Sequence, residues 1–195
     1  MANTHAIFHL PLAVPFWVVF FLVFVREAKV VRPALAAKPS AQDAGTFRAL
    51  MIGSPLAVFV AGVASFLPWL TIPDPTAAVV AGMVLMVAGA VLRRYCFYAL
   101  GRSFTGVVTV KEGQQLVQSG PYRFVRHPSY TAAILMFTGV GVALESGISV
   151  GILLLAHCYL YGRRVAVEER ALVETLGEAY TAYMLRTKRF IPFLL

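Results

Sequence analysis

The chain has 195 residues, of which 59% are hydrophobic and only 13% charged. Soluble domains carry about 25% charged residues, so this composition excludes an ordinary soluble fold and indicates an integral membrane protein. The formal net charge of +8 comes in three basic blocks separated by apolar spans, Arg26 to Arg48, Arg93 to Arg126 and Arg163 to Arg189. That interruption argues against a nucleic-acid partner.

In chain order, the first apolar segment runs from Ile7 to Val25. It lacks a basic stretch before it and is followed by Arg26 and Lys29, so it reads as a retained anchor rather than a cleaved signal. The second runs from Leu50 to Leu70 and the third from Thr76 to Leu100. All three have the length of about 20 residues that a bilayer-crossing helix needs. The Pro-rich IPDP between the second and third predicts a tight turn and an antiparallel hairpin. Gly82 and Gly89, with Ala81, Ala88 and Ala90, leave the third segment open to close approach by a neighbouring helix. Two shorter segments, Ser129–Leu144 and Ile148–Tyr161, are joined by ESG and predict a second hairpin. Their length requires tilt, or extension by the flanking amphipathic residues. Gly-rich GVGV in the fourth segment also suggests close packing.

These five spans predict an all-α integral membrane protein, with 1–195 forming a single membrane domain. Residues 1–100 hold three transmembrane helices and 101–195 hold two more with the catalytic region. The N-terminal tail, TIPDP and ALESG carry no Lys or Arg, and cytoplasmic loops are the ones enriched in these residues. The N-terminus is therefore expected outside, and the basic blocks and C-terminus in the cytosol; in a bacterium the membrane is the inner one. Cys96 and Cys158 lie in apolar context without metal or redox spacing and read as buried free thiols. No metal site is indicated.

The connection between the third and fourth spans, GRSFTGVVTVKEGQQLVQSGPYRFVRHP, is long enough to suggest function. VVTVKEGQQLV reads as a short hairpin turning at Gly113. Pro128 disfavours helix at His127 and suits the first turn of the fourth helix. That places free N–H groups, which favour anions, beside Arg123 and Arg126, with Arg126 at the headgroup boundary. The fifth span continues into GRRVAVEERALVETLGEAYTAYMLRTKRF, whose helical spacing breaks at Gly177 before a second short helix. Arg164 and Glu168 are four apart and share a face, with Glu169 adjacent. Alone, each cluster has an ordinary explanation: flanking arginines anchor helices at headgroups, and exposed Arg–Glu pairs contribute only tenths of a kcal/mol. Both at one membrane face suggest a polar pocket.

GPYRFVRHPSY, then R-x-x-x-EE and LGEAYTAYM, together resemble the isoprenylcysteine carboxyl methyltransferase family, within a wider group that includes phospholipid methyltransferases. The resemblance runs from about Leu100 to Pro192. It implies S-adenosylmethionine as cofactor, bound at the cytosolic face without a Rossmann domain; no Gly-rich strand–helix fingerprint is present. The implied cofactor contacts are Thr109, Gln114, Gln115, Leu116, Val117, Tyr122, His127, Pro128, Ser129, Tyr130 and Glu168. Gln114 stands where the family usually has His. Arg164 matches the arginine that holds the substrate carboxylate, so Arg164, Glu168 and His127 are the expected catalytic residues. The expected partners are a lipophilic small molecule or lipidated substrate and membrane lipid. The expected reaction is carboxyl O-methylation of a prenylcysteine-like carboxylate. The alternatives are a phospholipid or other lipid N-methyltransferase, an NADPH-dependent sterol or lipid reductase, which RHPxY also allows, and a non-catalytic scaffold. Two carboxylates at 168 and 169 would repel the 2′-phosphate of NADPH.

Overall fold

The apolar runs become helices wherever Pro and Gly do not interrupt them. A computed structural model of the chain describes residues 5–36, 41–101 and 116–191, leaving aside the side chains of 30–36 and 41. Among these residues six α-helices follow in order: α1 Ala13–Ala36, α2 Thr46–Ala64, α3 Pro75–Leu100, α4 Pro128–Ala143, α5 Gly147–Leu176 and α6 Glu178–Arg186. Among the described residues the only β pairing is two isolated bridges, Thr71 with Ser146 and Val125 with Lys188.

Local chemistry sets the helix ends. The Asp74 carboxylate accepts the Ala77 N–H at 3.0 Å and Pro75 takes the first position of α3, an N-cap followed by a proline with no N–H to leave unpaired. The Ser146 hydroxyl accepts the Ser149 N–H at the start of α5. Gly177, at φ 54°, breaks the α5–α6 line with a backbone that a side chain would resist.

Helices α2, α3 and α5 are long and apolar enough to cross a membrane, and α4 is a shorter apolar helix of 16 residues. Large apolar side chains point outward, among them Val18 and Phe21 on α1, Phe59 on α2 and Val84 on α3. Lipid, rather than water, suits such a surface. The protein is an integral, multi-pass membrane protein. Two segment ends differ from expectation. Ile7 and Phe8 form a short 3₁₀ turn, and Ile7 is buried with its carbonyl accepting the Trp17 indole N–H at 3.1 Å. Helix α2 stops at Ala64, where the Ser65 hydroxyl turns back onto the Gly62 carbonyl at 2.7 Å.

Packing corrects the first hairpin. Helix α3 packs chiefly on α4, and α2 chiefly on α5, so α2 and α3 are not close neighbours. The cause is the connection between them. It runs across to the α4–α5 turn, where the Ile72 N–H meets the Glu145 carbonyl at 2.8 Å and the Gly147 N–H meets the Leu70 carbonyl at 2.7 Å. The α4–α5 hairpin forms as expected. The small residues of α3 meet α4: a Cβ on Gly82 would lie 2.6 Å from the Gly139 carbonyl oxygen, and one on Gly89 would lie 2.7 Å from that of Ala132. Gly141 in GVGV similarly admits Val150 of α5. Cys96 is buried as expected, but Cys158 is exposed; it lies on the outer side of α5 with Leu155 and Tyr159.

Candidate functional site

The polar cluster gathers where α4 begins and α5 loses its apolar character. Pro128 opens α4 and leaves His127 in a non-helical conformation at the N-cap. Residues 125–127 are gripped by the segment that follows α6. The Arg126 N–H donates to the Lys188 carbonyl at 2.7 Å, and the His127 N–H to the Arg189 carbonyl at 2.9 Å. One turn into α4, the Thr131 hydroxyl donates to the Phe190 carbonyl at 2.8 Å. This backbone pairing, rather than a side-chain cap, fixes His127.

Tyr130 is the hub of one network. Its hydroxyl donates to Glu168 Oε2 at 2.6 Å and accepts from Arg164 Nε at 3.0 Å. Its ring lies between two others, nearly parallel to His127 (3°, centroids 5.6 Å apart) and tilted 24° to Tyr161 at 5.0 Å. The i, i+4 spacing of Arg164 and Glu168 puts both on the face of α5 that Tyr130 reaches. Arg164 is buried, whereas the Glu168 side chain keeps 30% of its surface exposed. Arg164 Nη1 also pairs with Asp43 Oδ1 at 3.1 Å and donates to the Thr46 hydroxyl at 3.3 Å.

Glu169 is the hub of a second network. Its Oε1 accepts from Arg126 Nε at 2.8 Å and lies 3.3 Å from His127 Nε2, while Oε2 pairs with Arg189 Nη2 at 2.8 Å. A carboxylate only accepts, so Nε2 of His127 carries the shared hydrogen. Nδ1 of the same ring is 3.9 Å from Glu168 Oε2, which sets His127 between two carboxylates. Arg126 further donates to the carbonyls of Met184 and Thr187. It thus brackets the α6 end with an inward-turned, largely buried side chain. Arg123 is the exposed one, its guanidinium 4.8 Å from the Phe124 ring centroid.

A third link lies beneath. Arg93 of α3 is buried, pairs with Glu27 of α1 at 2.6 Å and donates to the Ser129 carbonyl at 2.7 Å. It thereby ties α1 and α3 to the first turn of α4. Tyr122, in the 3₁₀ turn Gly120–Arg123, is buried, and among the described residues its hydroxyl has no hydrogen-bond partner. Burial pushes its phenol above the ordinary value, and the Cys96 and Glu168 side chains add to the shift. Burial likewise raises Tyr183, to about 12, against the opposing pull of Arg126, and its hydroxyl donates to the Tyr122 carbonyl at 2.5 Å.

The structure thus brings Tyr122, His127, Pro128, Ser129, Tyr130, Arg164 and Glu168 to one end of the bundle. Leu116 and Val117 are half-buried on the approach to Gly120–Arg123. Thr109, Gln114 and Gln115, with the hairpin at Gly113, lie outside the described residues. Sequence reasoning missed Asp43, Arg189 and the Arg93–Glu27 pair. Only Arg93 left a signal, a charge inside an apolar helix.

Most of the bridging residues lie within one stretch of similarity. Residues 81–174 match the Isoprenylcysteine carboxyl methyltransferase (ICMT) family. The resemblance read from GPYRFVRHPSY and R-x-x-x-EE is thereby borne out. The matched stretch holds Tyr122, His127, Tyr130, Arg164, Glu168 and Glu169; Asp43 and Arg189 fall outside it. Protein-S-isoprenylcysteine O-methyltransferase B of Arabidopsis thaliana is 30% identical over 115 residues, 58% of this chain and 58% of that protein. Protein-S-isoprenylcysteine O-methyltransferase of Saccharomyces cerevisiae is 29% identical over 117 residues, 59% of this chain and 49% of that protein. The chain thus matches about half to three-fifths of the length of these relatives. The structure of a eukaryotic intramembrane Ras methyltransferase ICMT aligns over 94% of this chain and 67% of its own, with a TM-score of 0.64 and 22% sequence identity. That likeness shows the ICMT fold.

Proposed function

We propose that this chain transfers a methyl group from S-adenosylmethionine to the carboxylate of a prenylcysteine-like lipid at the cytosolic face of a membrane. The observation that carries the reading is the continuous chain Arg164–Tyr130–Glu168, with His127 stacked on Tyr130. The ICMT relatives, named as O-methyltransferases, supply the reaction class and favour it over N-methylation or hydride transfer. The clustering of Lys and Arg in three blocks supports the cytosolic orientation.

The residues fit the cofactor. Glu168 offers a partly exposed carboxylate to its cationic groups, and the Tyr122 hydroxyl is a buried donor without a partner among the described residues, a costly arrangement unless a ligand completes it. His127, Pro128, Ser129 and Tyr130 form the adjoining wall. When bound, S-adenosylmethionine supplies a methyl on a positively charged sulfur, a leaving group that departs neutral. The acceptor carboxylate is ionised at neutral pH, with a reference pKa of about 4, so no general base is needed. What the protein contributes is orientation and exclusion of water. Arg164, planar and rigid, aims the acceptor oxygen. Tyr130 locks Arg164 to Glu168, fixing acceptor arginine and cofactor carboxylate on one α5 face. His127, hydrogen-bonded to Glu169, holds the Tyr130 ring in its stack and has no proton to move in this reaction.

The test is incubation of purified protein with radiolabelled S-adenosylmethionine and an S-prenylated N-acylcysteine. Base-labile methyl ester is the expected product, lost in Glu168→Gln. Absence of ester, together with no calorimetric binding of the demethylated cofactor, would sink the proposal.

A further inference from the structure

We infer that Asp43 is an internal carboxylate that holds Arg164 until the substrate carboxylate takes its place, so that the connection before α2 yields when substrate binds. This rests on the proposed role of Arg164 as the substrate's partner and adds a step that the role itself does not require.

A guanidinium can grip a carboxylate with two bonds in only two ways. One uses the side formed by Nε and an Nη; the other uses the end formed by the two Nη atoms. In this structure Nε of Arg164 donates to Tyr130, and Nη1 is committed to Asp43 Oδ1 at 3.1 Å and Thr46 at 3.3 Å. Each grip therefore includes a nitrogen already in use. A substrate carboxylate can be held bidentately only if Tyr130 lets go of Nε or the Asp43–Thr46 pair, in which Asp43 carries the charge, lets go of Nη1.

Tyr130 is the poor candidate. Its ring is stacked between His127 and Tyr161, and its hydroxyl is the link to Glu168. Asp43 is the better one, for three reasons. It is itself a carboxylate, so it occupies on Arg164 the place and charge that the substrate would bring. It lies in the short stretch leading into α2, where Ala44 (φ 46°) and Gly45 (φ 75°) both adopt the left-handed conformation, one that alanine takes only when its surroundings hold it there. And it does not lose every partner on leaving: Oδ2 accepts the Phe47 N–H at 2.9 Å, and the Thr46 hydroxyl, which donates to the Asp43 carbonyl at 2.9 Å, lies 3.2 Å from Oδ1. Those bonds belong to the start of α2, where a carboxylate is favoured. The exchange replaces one carboxylate by another at a buried cation, and Asp43 stays capped at α2.

The prediction concerns charge. Asp43→Asn keeps a side chain that caps a helix well but removes the competing negative charge. Full-length protein saturated with the demethylated cofactor is titrated calorimetrically with N-acetyl-S-farnesylcysteine and with its uncharged amide. Asp43→Asn is expected to bind the acid at least about fivefold more tightly than wild type, with amide binding unchanged. Equal or weaker acid binding overturns the inference and makes Asp43 a support for Arg164. Arg164→Gln separates this from the underlying reading. If wild type and Arg164→Gln show no preference for acid over amide, Arg164 does not hold a carboxylate and both ideas fall. If Arg164→Gln loses a preference that wild type has, while Asp43→Asn shows no gain, only the exchange falls. Should Asp43→Asn not fold, hydrogen exchange on wild type decides. Peptides covering 41–46 are expected to exchange faster with acid bound than with amide bound, and no difference overturns the inference.

Discussion

Glu169 offers the sharpest test of how this bundle end is held, because its partners differ so much in exposure. The carboxylate is buried; the Arg126 side chain is 8% exposed and the Arg189 side chain 52%. Removing one partner of a buried ion pair leaves an uncompensated charge and costs about 3–5 kcal/mol. A pair with one half-solvated member is worth about 0–1 kcal/mol. Glu169→Gln strands Arg126, which keeps only its bonds to the Met184 and Thr187 carbonyls, and the low end of the range, about 3 kcal/mol, applies. With about 2–4 °C per kcal/mol for a chain of this size, melting should fall by about 6–12 °C. Arg189→Ala should lower it by no more than about 4 °C. Circular dichroism melts in one detergent, read side by side, measure both. The double variant Glu169→Gln/Arg126→Met should cost less than the sum of its parts, since both remove one interaction. If Arg189→Ala proves as damaging as Glu169→Gln, the attribution to the buried Arg126 pair is wrong.

Three further substitutions probe packing and the site. Gly82→Ala forces a methyl to within 2.7 Å of backbone on α4 and should cost about 1–3 kcal/mol, whereas Gly62→Ala, with nothing within 4 Å of the new atom, should stabilise by about 0.5–1 kcal/mol; thermal melts give both, and equal effects refute the close-approach account. Tyr130→Phe keeps the ring stack but cuts the hydroxyl link to Glu168 and Arg164, so kcat/KM for methyl transfer should fall at least about tenfold with melting little changed; a silent variant would show that the link is not used.

The parts legible in the sequence are those that depend on near neighbours in the chain. Apolar runs bounded by Pro, Gly and charge gave the helices nearly in place, because helix formation in lipid is dictated by local backbone satisfaction. Arg164 with Glu168 could be paired from helical spacing alone, and Pro128 marked where α4 begins. Long-range partners had no such signature. Asp43 meets Arg164 across 121 positions, and Glu27 meets Arg93 across 66, with no periodicity to announce either. The pairing of Arg126 with Glu169 was not legible, because an arginine at a helix mouth reads alike whether or not it also reaches a buried glutamate. The α2–α3 hairpin misled because turn residues show that a chain reverses, not which helix receives it. Cys158 misled because apolar context in a membrane protein includes the outer surface.

The clasp of 125–127 by 188–190 has a consequence for how the protein is made. The α4–α5 hairpin can close as soon as its turn emerges, since its contacts are local. His127 and Thr131 cannot reach their final setting then, because Thr131 must await a carbonyl 59 positions further along. The bundle is therefore built before its polar end, and a nascent chain halted after α5 should be inserted and helical while still unable to shape the ligand site.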